Sequence, residues 1–351
     1  MTNDNPVLVE VTRGALTESL HHGAIAMADA DGRCLLALGH VEHPVFPRSA
    51  VKALQAIPLI ESGAADAFGL GDDELAIACA SHSGEAVHVE TVRSLLSKAG
   101  VDETLLACGA HWPLSEGAAR ELLSAGRGPR PIHNNCSGKH AGMLATALYL
   151  GLRPHGYERP DHPVQIEIAR VISELCEVGL SADRMGIDGC SVPTFALPLE
   201  ALANGFARLG ALTTAAASRQ GAARRLMQAC FAAPTLVAGE GRFDTIVMTG
   251  LAPSVFIKGG AEGVHCAALP ELGIGIALKI DDGAKRGAET AMAHLLATLL
   301  PNAPAVLAPQ LCGDIHNWRG KRVGNIRASA ALQGAAAALA RHDLVPSGVL
   351  R

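Results

Sequence analysis

Hydrophobic positions alternate with polar ones in short segments near the N-terminus, which is the period of a strand. Three such segments are Val7–Val11, Gly23–Ala28 and Arg33–Leu38. The last two are joined by Asp29-Ala30-Asp31-Gly32, a combination typical of a hairpin turn. This part of the chain therefore predicts an antiparallel sheet.

From Ser49 onward the apolar positions recur with the period of a helix, and strand-like segments return only late in the chain. The clearest helical segments are Glu90–Lys98, Gly138–Leu150, His162–Val178 and, after the late strands, Gly283–Leu299. The late strands are predicted at Thr245–Met248, Ser254–Ile257 and Gly273–Ile280. The pattern predicts an α+β fold in which both chain ends, about 1–45 and 240–351, share an antiparallel sheet and about 49–230 forms a helical layer. No repeat or long linker divides the chain, so we expect residues 1–351 to form one intertwined unit.

Composition narrows the function. The 351 residues are 49% hydrophobic and 18% charged, as in a globular protein. A net charge of -5 offers no basic surface for nucleic acid, which favours a small-molecule substrate. The start, MTNDNPVLVE, lacks a positive region followed by an apolar run, and no apolar span reaches about 18 residues. We therefore expect a cytoplasmic protein that does not bind membranes.

The nine cysteines agree with a reducing compartment, because their number is odd and they are scattered through apolar segments. Cys34 and Cys79 lie in strand-like segments and Cys230 in a helical one, so we expect these three in the core. Cys136 and Cys190 differ, because each is surrounded by Gly, Ser, Asn or Asp as a loop residue would be. These two are the candidates for chemistry.

The segment PRSAVK contains Ser49 and Lys52 three positions apart at the start of a helical run. Residues at this spacing share a helix face, so a neutral Lys52 amine could take the proton of the Ser49 hydroxyl. The same pattern also arises from a serine that caps a helix and a lysine on its solvated face.

Two later segments strengthen the catalytic interpretation. ASHSGE places Ser81 after an apolar run, and KGGAEG places Lys258 at the end of a predicted strand. Serine acyl-transfer enzymes of the β-lactamase type use Ser-x-x-Lys, a serine-led triplet and Lys-Thr-Gly in this order. Each segment alone is more simply a turn, but three in order favour a shared site.

The segment HNNCSGKH lacks the glycine and the hydroxyl residue of a phosphate-binding loop. Cys136 and Lys139 stand three positions apart, and Cys190 follows about fifty residues later in DGCSVP. Two thiolates suit zinc, and Lys139 could be a third ligand only if the ion holds its amine neutral. A catalytic Cys136 is the competing interpretation. The conventional alternative ligands are His133, His140 and Asp188.

Together the segments PRSAVK, ASHSGE, HNNCSGKHAGM, DGCSVP and KGGAEG resemble the rhizobial-type (class 3) L-asparaginases, which are similar in fold to serine β-lactamases and serine-dependent glutaminases. The resemblance runs from VEVTRGALTESLHHG to GNIRA. It implies that Ser49 is the nucleophile and Lys52 its base, with Ser81 and Lys258 as a second pair. It also implies a zinc ion bound by Cys136, Lys139 and Cys190. Arg48, His140 and Asp188 are implied to lie near the site.

The resemblance implies an L-asparagine amidohydrolase that releases ammonia and L-aspartate through an acyl-enzyme. It also implies a homodimer, which the apolar composition supports only weakly. A glutaminase, a β-lactam hydrolase and a zinc-stabilised binding protein without catalysis are the alternatives. Whether the protein releases ammonia from asparagine separates the asparaginase interpretation from a binding protein without catalysis.

Overall fold

The strands lie at both ends of the chain and most of the helices lie between them. The computed structural model describes residues 5–213 and 216–341. The strands are β1 Val7–Arg13, β2 Leu16–Asp29, β3 Cys34–Leu38, β4 Pro44–Val45, β5 Met185–Ile187, β6 Pro193–Phe195, β7 Leu197–Pro198, β8 Phe256–Gly259, β9 Val264–Leu269, β10 Ile274–Ile280, β11 Asp314–His316 and β12 Arg322–Ala328.

The helices are concentrated in the middle of the chain. They are α1 Lys52–Glu61, α2 Ala64–Ala67, α3 Asp72–Ala78, α4 Ala86–Lys98, α5 Glu116–Ser124, α6 Ser137–Tyr149, α7 Pro163–Cys176, α8 Leu199–Ala211, α9 Ala217–Ala232, α10 Pro234–Val237, α11 Phe243–Leu251, α12 Lys285–Leu299, α13 Ala303–Val306, α14 Ala308–Cys312 and α15 Ala330–Arg341. The short 3-10 helices that bear on the site are Arg48–Val51 and Pro131–His133.

The chain divides into two compact units. The sheet unit comprises residues up to 45, 197–211 and from 250 onward, and the helical unit comprises 46–196 and 212–249. The expectation that residues 1–351 work as a single unit stays a prediction.

The sheet unit contains an antiparallel sheet with strand order β11-β12-β1-β2-β10-β9-β8, and β3 pairs with β2. Strand β10 is almost wholly buried, as expected of a strand covered on both faces, and both α8 and α12 pack against it. Gly275 permits the close approach of α8, because a Cβ atom there would lie 2.0 Å from the Ala203 carbonyl oxygen.

The helical unit is organised around α1, which packs against α6, α7 and α9. Eight consecutive residues of α1, from Lys52 to Leu59, are buried, so this helix is covered on all sides. Helix α3 packs against α6 and α9 in the same unit. Burying Lys52 in such a helix requires polar partners for its amine.

The predicted α+β fold is confirmed, with a sheet built from both chain ends and helices from the middle. One strand prediction is wrong: Thr245–Met248 lies within helix α11. A short apolar run rich in β-branched residues has no periodicity that separates a buried strand from a buried helix. The sheet of the second half therefore begins at β8, and α8 packs on the sheet although the sequence predicted it within the helical layer.

Two cysteines also differ from expectation. Cys34 is exposed on β3, which pairs only with β2 among the described strands. Cys79 is buried as expected, but it ends helix α3 rather than occupying a strand. Within residues 5–213 and 216–341, no helix is both long enough and apolar enough to span a bilayer.

Candidate active site

Lys52 is the first residue of α1 and is fully buried. Its Nζ atom donates hydrogen bonds to the Ala80 carbonyl oxygen at 2.7 Å and to Ser81 Oγ at 2.9 Å, and it lies 3.1 Å from Cys136 Sγ. The Asn135 carbonyl oxygen is 3.5 Å away. Because the amine has several acceptors within reach, the burial of this polar group is compensated.

Ser49 lies in the 3-10 helix Arg48–Val51, immediately before α1, and is partly exposed. Its carbonyl oxygen accepts a hydrogen bond from the Lys52 backbone N–H, whereas its side chain makes no hydrogen bond within the described residues. The interpretation of Ser49 as a helix cap therefore does not hold, because α1 has Val51 at its N-cap. Its hydroxyl remains available for other chemistry.

Arg48, directly before Ser49, has a φ angle of 51°, in the left-handed region that non-glycine residues rarely adopt. Its Nε atom donates a 2.6 Å hydrogen bond to Asp188 Oδ1, and this ion pair holds the strained residue in place. The strained residue and its ion pair therefore lie directly before Ser49 in the chain.

Ser81 lies in the loop that follows the C-terminus of α3. Backbone hydrogen bonds from Ser81 and from the next residue hold this loop in place. The Ser81 N–H donates to the Val237 carbonyl, and the His82 N–H donates to the Asn135 carbonyl. The Ser81 carbonyl accepts a 2.6 Å hydrogen bond from Arg242. Lys52 and Ser81 therefore meet through two separately anchored segments.

His82 is fully buried and links this loop to the start of α6. Its Nδ1 atom accepts from the Gly84 N–H at 3.2 Å, so Nε2 carries the proton and donates to Ser137 Oγ at 2.9 Å. The Ser137 hydroxyl in turn donates to the Ile132 carbonyl. The His82 ring also stacks on His88, with ring centroids 5.1 Å apart.

We expect this buried neutral histidine to make the fold sensitive to acid. Burial, followed by the nearby His88 and Lys52, holds the pKa of His82 well below its ordinary value. Below about pH 6.5 the unfolded chain therefore binds one more proton at this residue than the native protein does. The free energy of unfolding should fall by up to about 1.4 kcal/mol per pH unit until the pH reaches the lower native pKa.

Urea unfolding of the wild type and of His82→Asn at several pH values tests this expectation. Below about pH 6.5 the free energy of unfolding of the variant should decline less steeply with falling pH. The difference in slope should correspond to the uptake of up to one proton on unfolding. Equal slopes in the two proteins would show that His82 does not carry the effect.

A second buried cluster joins Lys139 to two sulfurs. Lys139 Nζ lies 3.0 Å from Cys190 Sγ, and the Cys136 and Cys190 thiols influence each other's pKa. All three residues are at most 4% exposed. Cys136 is the N-cap residue of α6, and Cys190 lies in the loop between β5 and β6.

The two thiols differ in acidity. A hydrogen bond from Cys190, together with the charges of Lys52 and Lys139, holds the pKa of Cys136 well below its ordinary value against the effect of burial. Donating that hydrogen bond and being buried raise the pKa of Cys190. Burial disfavours the charge on Lys139, but the two sulfurs outweigh it and raise the pKa of this amine. The cluster thus pairs one thiolate with ammonium groups.

These donors fit a zinc ion in type. Thiolate sulfur and neutral amine nitrogen are ligands that zinc accepts, all three residues are buried, and Lys139 Nζ already lies 3.0 Å from Cys190 Sγ. Because Lys139 is protonated in this state, zinc binding would have to release its proton. The cluster therefore fits a zinc site only if the metal ion displaces the protons that its ligands carry in this structure.

The conventional alternative ligands are arranged differently. Asp188 Oδ2 lies 3.6 Å from Cys190 Sγ, and its other oxygen is paired with Arg48. His133 Nδ1 accepts a hydrogen bond from the Arg130 backbone N–H. Asp188 therefore borders the cluster, whereas His133 is committed to its own turn.

His140 is fully buried and hydrogen-bonded through Nδ1 to the Tyr157 hydroxyl at 2.6 Å. Tyr157 accepts from the Ala107 N–H, so its own proton goes to His140 and leaves Nε2 protonated. That Nε2 atom has no hydrogen-bond partner in the described structure. Burial and the charges of Lys139 and Lys52 hold the pKa of His140 well below its ordinary value, so it is neutral.

A sequence comparison identifies the family. The family model described as L-asparaginase II matches residues 9–328, nearly the whole chain. The chain belongs to the L-asparaginase II family. A comparison with curated proteins found no match.

Solved structures similar to this L-asparaginase II family member share little sequence with it. "Mglu in its glutamate form" is 14% identical, with a TM-score of 0.36 over 79% of this chain and 60% of that one. Simvastatin synthase (LovD) from Aspergillus terreus is 13% identical, with a TM-score of 0.29 over 82% of this chain and 94% of that one. The chain thus spans less than two thirds of the length of the first protein.

Within this family member, the predicted residues are divided between the two units. Ser49, Lys52 and Ser81 belong to the helical unit, as do the residues of the sulfur cluster. Lys258 belongs to the sheet unit, where it is fully buried on β8 opposite Cys266 of β9. The pairing of Ser81 with Lys258 stays a prediction.

Sequence patterns missed several supporting residues of this L-asparaginase II family member. They are His82, Asn135, Ser137, Tyr157 and Arg242. Three of them, His82, Asn135 and Ser137, lie inside the quoted segments ASHSGE and HNNCSGKH, where a polar residue amid small ones was a usable signal. Tyr157 and Arg242 act through long-range contacts that no local spacing reveals.

Proposed function

We propose that this protein is an L-asparagine amidohydrolase with Ser49 as nucleophile. Membership of the L-asparaginase II family supports amide hydrolysis. The observation that carries the proposal is the buried Lys52 amine, held between Ser81 Oγ and Cys136 Sγ at the start of the helix that follows Ser49. A lysine amine held within hydrogen-bond distance of the Ser81 hydroxyl, three residues after Ser49, suits a general base.

In the proposed reaction, Ser49 Oγ attacks the side-chain amide carbon of asparagine. The hydroxyl proton passes to Lys52, which must be neutral to accept it, and then to the departing nitrogen. The C–N bond breaks, ammonia leaves and a β-aspartyl ester remains on Ser49. Water, deprotonated by Lys52, then attacks the ester and releases L-aspartate and free Ser49. Ser81 and Lys258 are proposed as the second Ser/Lys pair that assists these proton transfers.

We further propose that Cys136, Lys139 and Cys190 hold one zinc ion per chain. When bound by these three residues, zinc would supply Lewis-acid chemistry. In the protein itself, Asp188 orients Arg48 beside Ser49, and His140 Nε2 offers a neutral donor. These three side chains are proposed to position asparagine.

We expect Cys136→Ser to remove the metal. The purified wild type should contain about one zinc per chain, because buried thiolate sites bind tightly at neutral pH. The variant should contain little zinc and bind substrate less tightly, yet keep some turnover because Ser49 and Lys52 remain. Elemental analysis beside steady-state kinetics measures both effects.

Cys34→Ser is the matched control, because Cys34 is exposed and belongs to the sheet unit. It should retain full zinc and full activity. A metal-free wild type with full asparagine affinity would contradict the zinc proposal. Complete inactivation of Cys136→Ser alongside an active Ser49→Ala would instead support a catalytic cysteine.

Ammonia release from asparagine and glutamine tests the substrate. The proposal expects faster release from asparagine. Faster release from glutamine would indicate a glutaminase, and nitrocefin turnover a β-lactam hydrolase. No release from either amide by a folded protein would favour a binding protein without catalysis.

The cytoplasmic location and the homodimer remain predictions. Sedimentation equilibrium tests whether the protein is a homodimer. A species of 36.1 kDa at micromolar concentration, the mass of one chain, would contradict the dimer.

A further inference from the structure

A cleft of about 590 Å³ lies in the helical unit beside the proposed active site. Helices α4 and α5 and the segment that leads to the 3-10 helix Pro131–His133 form its walls. Of the described residues that line it, none is Ser49, Lys52 or Ser81. A cavity of this volume is typical of a site for a small molecule. We call it the arginine cleft.

Charged side chains of both signs face the arginine cleft. Arg93, Arg127 and Arg130 supply three guanidinium groups, and Glu90 and Glu121 supply two carboxylates. Arg130 is paired with a carboxylate outside the lining, at 3.0 Å. Across residues 5–213 and 216–341, the side chains of the other four form no ion pair or hydrogen bond with the protein. The cleft therefore presents unpaired cations and unpaired anions together.

We propose that the arginine cleft binds a free α-amino acid with an acidic side chain. Such a ligand carries two carboxylates and one ammonium group. Its carboxylates match guanidinium groups, which bind carboxylate in bidentate geometry, and its ammonium matches Glu90 or Glu121. A simple dianion leaves those two carboxylates unmatched. The product of the proposed reaction, L-aspartate, belongs to this class, and that link rests on the proposed function.

The wall of the cleft continues directly into the proposed active site. His133 lines the cleft, and its carbonyl oxygen would lie 3.1 Å from a Cβ atom on Gly84, so these two walls are in close contact. Two residues later, the Asn135 carbonyl accepts from the His82 N–H and lies 3.5 Å from Lys52 Nζ. A ligand that tightens this wall therefore acts on the segment that holds Lys52.

Hydrogen–deuterium exchange of the full chain with L-aspartate tests the binding without requiring turnover. We expect slower exchange in segments 84–93 and 121–133. The double variant Arg93→Gln/Arg127→Gln should raise the dissociation constant for L-aspartate, measured from this protection, by about tenfold or more. The reason is that it removes two charge-assisted contacts. Succinate, which lacks the ammonium group, should protect these segments less than L-aspartate.

Arg120→Gln is the matched control, because Arg120 is exposed on α5, pairs with Glu116 and does not line the cleft. It should retain wild-type protection. Absence of protection at millimolar L-aspartate, or unchanged protection in the double variant, would overturn the proposal. Equal protection by inorganic phosphate would overturn the amino-acid class, because it would show a general anion site.

Kinetics tests the connection to the reaction separately. L-Aspartate should inhibit asparagine hydrolysis with a component that excess asparagine does not relieve. The double variant should lose this component and keep its basal turnover. If asparagine hydrolysis is absent but protection is observed, the cleft stands and the proposed function fails. If asparagine hydrolysis is observed without protection, the proposed function stands and the proposed ligand of the cleft is wrong.

Discussion

Replacing Ser49 by Ala should reduce asparagine turnover by roughly 10³-fold or more, because the acyl-enzyme can no longer form. The side chain makes no hydrogen bond in the described structure, so its hydroxyl contributes little to the fold. The free energy of unfolding should therefore change by less than about 0.5 kcal/mol. Ammonia release and urea unfolding measure the two quantities on the same preparation.

Ser62→Ala is a matched control, because Ser62 ends the helix that begins after Ser49. It should leave turnover unchanged. A folded Ser49→Ala protein with near-wild-type asparagine hydrolysis would remove the nucleophile assignment.

Replacing Lys52 by Met should lower kcat by at least about a hundredfold, because general-base catalysis contributes on this scale. Two opposing effects limit the change in stability. The Ala80 carbonyl and Ser81 hydroxyl lose their donor, while the protein no longer buries a charge. We expect a net change below about 2 kcal/mol in the free energy of unfolding.

Two further variants separate a base from a structural cation. Lys52→Arg keeps the positive charge but cannot accept a proton near neutral pH, so it should also be inactive. Lys98→Met removes a partly exposed lysine that pairs with the buried Glu74, and it should keep full activity. An active Lys52→Arg protein would contradict the proposed base.

Periodicity predicted segments within β1, β2, β3, β8 and β10, and it missed β9, β11 and β12 of the same sheet. Turn residues at the ends of a segment made it easier to recognise. The hairpin of β2 and β3 is an example, with Gly32 at a φ angle of 85° in the predicted turn. The segment Thr245–Met248 failed because short apolar runs look alike in buried strands and buried helices. Length and flanking residues alone did not separate the two.

Two residues that the zinc hypothesis grouped are close in the structure. Lys139 Nζ and Cys190 Sγ lie 3.0 Å apart in the helical unit, and the zinc site itself stays a prediction. The chief partner of Lys52 was not predicted, because spacing favoured Ser49 whereas the amine donates to Ser81. That contact depends on how α1 packs beside the end of α3, and a tertiary contact of this kind leaves no periodic signal in the sequence.

Because Lys52 contacts Ser81 directly, locating the acyl group is the most direct test of Ser49 as the nucleophile. Wild-type protein is quenched in acid during asparagine turnover, digested with trypsin and mapped by mass spectrometry. Trypsin cleaves after Arg48 and Lys52 and so releases Ser49 in peptide 49–52. The same digest places Ser81 in peptide 53–93 and Cys136 in peptide 128–139. We expect a β-aspartyl mass increment on peptide 49–52 alone. An increment on either of the other two peptides, or none while ammonia is released, would contradict this expectation.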